Sequence, residues 1–305
     1  MKTPQFWYKN GWKSLLLMPL SWVYGGITQI RLKWHKPYHC GAKVICIGNI
    51  TAGGVGKTPV ARAMAEKYLK EGKKVFFVTR GYKGTLKNIV VDLEKHTPAE
   101  TGDEARLLAL TAPTIIAPHR DKGAKMAVSL GAEVIIMDDG FQNPRLYKDE
   151  SWLVFDGSVG LGNGKIIPAG PLRETLKNGE KRANYIVIMG EDKTGLEKQC
   201  QLPCFHGKLE AEPLELQNQS VLAFAGIGRP EKFYQTLRDL GFNTAVTHDF
   251  ADHYAYSADD INQLVEEAAR LGLELVTTEK DYVKLSLEAQ QKVHVLKVRA
   301  VWAVE

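Results

Sequence analysis

The chain has 305 residues, 44% of them hydrophobic and 25% charged, with a formal net charge of +5. This is the balance of a core-forming globular protein of one large domain or two ordinary ones. The mild positive charge fits a phosphorylated substrate or an anionic membrane surface without demanding either. With no zinc-finger spacing, no long lysine run and no RNA-binding aromatic signature, nucleic acid is not an expected partner.

In chain order, the N-terminus comes first. Phe6, Trp7, Tyr8, Trp12, Trp22, Tyr24 and Trp34 crowd together beside Leu15-Leu16-Leu17-Met18, flanked by Lys2, Lys9, Lys13, Arg31, Lys33 and Lys36. The uncharged stretch from Ser14 to Ile30 is interrupted by Pro19 and Gly25-Gly26. It falls short of the roughly 20 apolar residues a spanning helix needs, and no signal-peptide cleavage site is evident. Two readings stand: a helix lying in a membrane interface, or one docked on the protein's own core. The cysteines, Cys40, Cys46, Cys200 and Cys204, show no complete metal spacing and read as free thiols of a reducing, cytosolic-side protein.

The apolar run Val44-Ile45-Cys46-Ile47 then leads into Thr51-Ala52-Gly53-Gly54-Val55-Gly56-Lys57-Thr58, followed by a helical pattern with Pro59 in its first turn. A strand, a glycine-rich turn and Gly-Lys-Thr opening a helix is the layout of a phosphate-binding P-loop. Glycines bring backbone N–H groups close to an anion, and the new helix aims its donors and dipole there. Lys57 is expected to meet the β- and γ-phosphates of a nucleotide such as ATP, and Thr58 to give a hydroxyl to Mg²⁺. The strict pattern begins with Gly where this chain has Thr51; Gly48 is a candidate for relieving the turn instead.

Strands and helices alternate from there: strands at 74–79, 114–117, 133–137, 152–155 and 185–189, and helices at 59–70, 103–110, 122–130 and 174–181. Such alternation predicts a mostly parallel sheet covered by helices on both faces. Asp138-Asp139-Gly140 ends a buried strand, where a P-loop fold holds Mg²⁺ or its waters; the bland reading is an Asp-Gly turn. Gly102-Asp103-Glu104 opens a helix, so Asp103 is either a helix cap or a base for an acceptor hydroxyl. Gly157–Gly164 is a flexible glycine-rich loop leading to Pro168-Ala169-Gly170-Pro171-Leu172-Arg173-Glu174. There Arg173 is placed to meet phosphate and Glu174 to face the metal, at the start of the next helix. Arg80 and Arg120 also follow strand ends, where ligands of open sheets gather; each equally suits a solvated surface charge.

Residues 191–219 read as polar and irregular, and the break between units is expected there. A second alternating series follows, with strands at 220–225, 243–247, 274–277 and 294–298 and helices at 230–240 and 258–271. The expected organisation is an N-terminal membrane-associating segment at 1–38, a P-loop domain at 39–212 and a smaller α/β domain at 213–305, with the last strand free to return to the P-loop domain. His253 lies in a polar-aromatic turn, His248-Asp249-Phe250-Ala251-Asp252-His253-Tyr254. It is either a surface histidine or, if the domains face each other, a partner for Asp103.

Taken together, these stretches resemble the tetraacyldisaccharide 4′-kinases of lipid A biosynthesis. The resemblance rests on Gly48 to Pro59, Arg80-Gly81-Tyr82, Gly102-Asp103-Glu104, Asp138-Asp139-Gly140-Phe141-Gln142, Pro168 to Glu174, Phe250-Ala251-Asp252-His253 and Thr278-Glu279-Lys280-Asp281. Thr51 in place of the first glycine agrees with that family. The resemblance implies transfer of the γ-phosphate of ATP to the 4′-hydroxyl of a tetraacyldisaccharide 1-phosphate, giving lipid IVA, by a peripheral protein at the cytoplasmic face of the bacterial inner membrane. It implies Asp103 as base paired with His253, and Lys57 and Thr58 as phosphate and Mg²⁺ contacts. Asp138, Asp139 and Glu174 become an acidic cluster around the metal, Gln142 a nearby polar contact, and the N-terminal helix a dock for membrane and acyl chains. Two alternatives are a P-loop kinase of a soluble metabolite, which has no use for the aromatic N-terminus, and a P-loop ATPase or GTPase switch. Ala52 stands where partitioning ATPases carry lysine, and the lysine of Thr278-Glu279-Lys280-Asp281 is one place late for a guanine-reading motif.

Overall fold

The computed structural model describes residues 4–9 and 11–302; Lys2 of the N-terminal basic set lies outside them. A short 3₁₀ turn, Gln5–Trp7, precedes helix α1, Trp12–Trp34. Pro19 and Gly25-Gly26, which break the apolar run, do not break α1. Side-chain anchors on both sides of Pro19 account for this: Ser14, Ser21 and Thr28, spaced seven apart, form its buried stripe.

The larger sheet is built from β1 (Lys43–Gly48), α2 (Lys57–Lys70), β2 (Val75–Thr79), β3 (Ile89–Val90), α3 (Pro98–Thr101) and α4 (Asp103–Ala109). It continues through β4 (Thr114–Ile116), α5 (Arg120–Ser129), β5 (Val134–Asp138), β6 (Glu150–Asp156), α6 (Leu176–Glu180), β7 (Tyr185–Met189) and β8 (Cys204–Ala211). The smaller sheet takes β9 (Ser220–Ala225), α7 (Pro230–Asp239), β10 (Asn243–Asp249), α8 (Ala258–Leu271), β11 (Glu274–Thr278), α9 (Glu279–Tyr282), α10 (Leu287–Gln290) and β12 (His294–Leu296). The chain then returns as β13 (Val298–Trp302) to the edge of the larger sheet.

The larger sheet runs β13-β8-β7-β6-β1-β5-β2-β4-β3, parallel except for the antiparallel edge pairs β13–β8 and β3–β4. The smaller runs β10-β9-β11-β12, all parallel. Each central strand is apolar on both sides because both its faces are covered. Along β1, Val44 and Cys46 point into the layer shared with Phe141 and Phe155, while Ile45 and Ile47 meet α2 through Val60, Ala61 and Met64. In β9, Leu222 and Phe224 pack towards α8, and Val221, Ala223 and Ala225 towards α7.

Residues 191–219 are not wholly irregular: β8 lies within them, paired with both β7 and β13. Its sequence conceals it because Lys208, Leu209 and Glu210 face solvent while Gly207 is buried, so no apolar run marks the strand. The β5–β1–β6 centre is where the strand order reverses, and the register Ile47↔Asp138 brings the ends of β1 and β5 level. Open parallel sheets collect ligands at such a point, beyond the carboxyl ends of the strands.

Candidate active site

The loop between β1 and α2 has the glycine geometry of a phosphate cradle. Gly53 and Gly56 take left-handed backbones, with φ of 120° and 86°, and α2 starts at Lys57. Asn49, fully buried, donates from Nδ2 to the Thr51 carbonyl at 2.6 Å and closes the turn from beneath. The segment 171–173 braces the loop from outside: Ala52 N–H donates to Pro171 O at 2.8 Å and Arg173 N–H to Ile50 O at 2.6 Å. Gly48 does not relieve the turn. A side chain there would place its Cβ 2.5 Å from Phe141 Cβ, so this glycine lets the ends of β1 and β5 close up.

Thr58 Oγ1 donates to Asp138 Oδ2 at 2.9 Å. Asp138 is 2% exposed, and its Oδ1 is buried with no protein hydrogen-bond partner. Burial, with Glu104 and Asp139 nearby, pushes its carboxyl up to about 7, against the opposing effects of Lys57 and Thr58. Next along the chain, Asp139 has φ 53° and turns its carboxylate to Lys57 Nζ at 3.6 Å and an Arg173 guanidinium nitrogen at 3.1 Å. Burial works against its charge, but Lys57 and Arg173 outweigh it and hold the carboxyl below its usual range.

Gln142 knits the far side together. Its Nε2 donates to Asn49 O at 2.8 Å and Glu174 Oε1 at 3.1 Å, and its Oε1 accepts from Arg173 at 3.2 Å. Glu174 is 1% exposed, and its other oxygen is paired with Arg182, a residue that no local sequence pattern singles out. Arg173 and Glu174 precede α6 rather than open it, since Thr175 is its cap. Arg120 is buried: one guanidinium nitrogen donates to Ala117 O at 2.6 Å, Nε has no protein partner, and burial lowers its pKa to about 10 despite Asp139. Arg80 lies exposed after β2.

On the opposite wall, Asp103 is the first residue of α4 and Gly102 is the cap, so capping does not occupy this carboxylate. Gly102 has φ 81°, and a Cβ there would stand 2.2 Å from Tyr82 O, a close approach that only glycine permits. Asp103 Oδ2 instead lies 2.9 Å from His253 Nδ1, 150 residues away, with Tyr82 edge-on to the imidazole at 6.4 Å. His253 has φ 63° and a backbone N–H bond to Gly226 O. Among the described residues four non-glycines take such backbones, and two of them are Asp139 and His253. Backbone strain of this kind gathers at functional positions.

No three His, Cys, Asp or Glu side chains converge as a metal cluster among the described residues. A Mg²⁺ site of the P-loop type needs none, because phosphates and water complete its shell around one or two protein ligands. The orphaned Asp138 Oδ1 beside Thr58 fits such a group. The cysteines are free; burial pushes the Cys46 thiol up to about 11 and also raises Cys200 and Cys204.

The glycine-rich loop 157–164 holds the N-terminus rather than a phosphate. Asn163 donates from Nδ2 to Phe6 O, Ser14 Oγ and Ala169 O, and its N–H to Trp7 O. Ser21 Oγ donates to Ile166 O at 2.7 Å and accepts from Ala169 N–H at 3.1 Å; Trp7 Nε1 donates to Pro168 O at 3.0 Å. Helix α1 therefore docks through small polar residues and turns its apolar side outward. Trp12, Leu15, Leu16, Leu20, Trp22, Val23, Ile27, Ile30 and Trp34 are between 58% and 81% exposed. None of the described helices is long and apolar enough to cross a membrane.

The family model described as Tetraacyldisaccharide-1-P 4'-kinase matches residues 13–305. The chain is 42% identical to a Tetraacyldisaccharide 4'-kinase from Rhodospirillum rubrum over 99% of its own length and 94% of the relative's. It is 46% identical to a protein of the same name from Parvibaculum lavamentivorans, over 94% and 87%. Its structure superposes on that of "apo" form LpxK from Aquifex aeolicus in complex with ATP with a TM-score of 0.79, at 28% identity and 95% coverage of each chain. A family match over nearly the whole length, with a P-loop, a strand-end aspartate and a mostly parallel sheet beneath them, has one reading: the chain belongs to the tetraacyldisaccharide-1-P 4'-kinase family.

Proposed function

We propose that this protein transfers the γ-phosphate of ATP to the 4′-hydroxyl of a tetraacyldisaccharide 1-phosphate, giving lipid IVA, while held peripherally at the cytoplasmic face of the inner membrane. The observation that carries this reading is a pair of clusters, near enough for Glu104, next to Asp103, to act on the Asp138 carboxyl. Lys57, Thr58 and Asp138 lie at the end of the P-loop, and an Asp103–His253 pair on the other wall joins the two sheets.

The P-loop backbone and Lys57 bind the β- and γ-phosphates. Arg173, held on Asp139 and Gln142, is a second cation for the transferring group. Thr58 and Asp138 would hold Mg²⁺, with Asp139 beside them. When bound there, the ion supplies neutralisation of the phosphate oxygens. Glu174 has both oxygens engaged, so we assign it to fixing Gln142 and Arg182 behind the metal cluster. Buried Arg120 adds background positive charge under the aspartates.

Asp103 accepts the proton of the sugar hydroxyl as its oxygen attacks the γ-phosphorus and the bond to the β-phosphate oxygen breaks. His253, donating from Nδ1–H to Asp103 Oδ2, fixes the carboxylate's direction. The outward apolar side of α1 supports a lipid-borne substrate. So does the pocket between α1 and α6, lined by Ser21, Trp22, Gly25, Gly26, Gln29, Ile166, Glu174, Thr175 and Asn178, because it joins that side to Glu174. Neither feature serves a soluble metabolite.

Purified protein incubated with labelled ATP, Mg²⁺ and detergent-dispersed tetraacyldisaccharide 1-phosphate should label the lipid, and Lys57→Ala should abolish the label. ATP consumed without lipid labelling would overturn this acceptor assignment while leaving the P-loop intact.

A further inference from the structure

The segment Thr278-Glu279-Lys280-Asp281 reaches both walls of the site through its side chains. Asp281 is fully buried and accepts from Gly226 N–H at 3.0 Å, Tyr256 OH at 3.0 Å, Thr278 Oγ1 at 2.7 Å and Lys284 Nζ at 2.5 Å. A buried carboxylate so fully satisfied is a rigid post, and it leaves no oxygen for reading a guanine. Gly226, bonded to it through N–H, accepts the His253 N–H through its carbonyl. One residue back, Lys280 Nζ meets Asp252 Oδ1 at 3.1 Å, and Asp252 Oδ1 lies 4.0 Å from His253 Nε2. One residue further back, Glu279 is 6% exposed and pairs with Arg62 of α2 at 3.0 Å, on the helix that begins with Lys57 and Thr58.

We propose that Lys280 is a positioning residue for phosphoryl transfer: by holding Asp252 it fixes the strained turn that presents His253 to Asp103. The inference rests on assigning Asp103 and His253 to proton transfer. Without Lys280, Asp252 is released one bond away from a left-handed histidine, and its carboxylate competes with Asp103 for the imidazole. Lys280 is on a short helix pinned by Asp281 below and tied to the P-loop helix by Glu279. The distance it sets is therefore measured from the nucleotide side of the site.

A double-mutant cycle between Lys280 and His253 tests this, with kcat, the KM for ATP and the thermal midpoint measured for each variant. Lys280→Met should lower kcat about 10- to 100-fold, the scale of a misplaced catalytic group, with the KM for ATP changed less than about twofold. Lys280→Arg should restore most of the rate. In a His253→Ala background Lys280→Met should cost nothing further, because residues acting through one group are not additive. Wild-type turnover in Lys280→Met, or an equal fold-loss in both backgrounds, overturns the proposal alone. Wild-type turnover in His253→Ala overturns it together with the site assignment.

Discussion

At the scale of single residues, Asp138 is the costliest feature of the site. Its carboxyl is buried, one oxygen has no protein partner, and its pKa stands at about 7 against an ordinary 3.8. A folded-state value above the unfolded one fixes the sign. The stability the group contributes is complete below pH 4 and is lost as pH rises through about 7. Asp138→Asn keeps an acceptor for Thr58 and removes the charge. Without nucleotide or divalent cation, the variant should melt above the wild type at pH 8, by about 1.5 °C for each kcal/mol relieved. The gain should shrink towards pH 5, and the variant should lose kinase activity, a trade of stability against function. Differential scanning fluorimetry across pH reads this directly; a gain equal at pH 5 and pH 8 would sink it. The position of this aspartate was legible in the sequence because it ends an apolar run. Asp103 was legible only in part. A helix-opening aspartate is ordinarily a cap, and the sequence offered His253 as its partner on the condition that the two units face each other; the fold gives the cap to Gly102 and brings His253 to 2.9 Å. Arg182 was invisible for the same reason, since its partner Glu174 is defined by burial rather than by spacing.

At the scale of elements, α1 inverts the usual amphipathic plan. A helix of a soluble domain buries its apolar stripe; this one buries Ser14, Ser21 and Thr28 and exposes its large side chains. The composition of the N-terminus revealed the aromatics and the flanking cations but not which side faced inward. Both sides of the helix carry short-range patterns, and only the hydrogen bonds of Ser21 and Asn163 decide between them. The outward side is the surface we assign to the membrane. Each large apolar side chain moved from water into hydrocarbon contributes roughly 1.5–3 kcal/mol. Replacing Leu16 and Trp22 together by serine should therefore weaken binding to anionic lipid vesicles roughly 100-fold or more. It should raise the KM for the lipid and leave the KM for ATP and the thermal midpoint near wild type, since both side chains are largely exposed. Vesicle sedimentation alongside steady-state kinetics measures this. Unchanged sedimentation would return α1 to a purely structural role. Strand β8 makes the opposite point: its alternation is masked by Lys208 and Glu210, and it exists because β7 and β13 flank it.

At the scale of the whole molecule, the chain's return matters most. After completing the smaller sheet it comes back as β13 to close the edge of the larger one against β8, with Ala300 buried in the layer that also holds Ile45, Ile47 and the residues of α2. Val298 N–H, the first donor of that strand, is taken by Glu279, which also holds Arg62. From α4, Arg106 reaches the other end of α9 through Val283 O at 2.8 Å. The two sheets are thus joined by the last strand, by the contacts of Arg62 and buried Arg106 and by the Asp103–His253 pair. They should behave as one cooperative unit rather than as two domains that melt apart. The alternation of strands and helices announced two units and left the last strand free to return to the first; the edge it takes, beside β8, was not legible, because a strand's neighbours are not written in its own period. Tryptophan provides a probe once Trp7, Trp12, Trp22 and Trp34 are replaced by phenylalanine. Trp152, beside Trp302 at 6.3 Å, reports on the larger sheet, and the smaller sheet contains no tryptophan at all. Hydrogen exchange of β9 and β11 amides reports on the other half. In a denaturant titration the two signals should move with one midpoint. Ala300→Asp, which puts an unpaired charge into the α2–β13 contact, should lower both midpoints together by roughly 4 kcal/mol or more in stability. If the β9 and β11 amides exchange at lower denaturant while Trp152 emission is still native, the smaller unit opens alone. In that case the coupling through β13 and Glu279 is too weak to hold His253 in register with the P-loop.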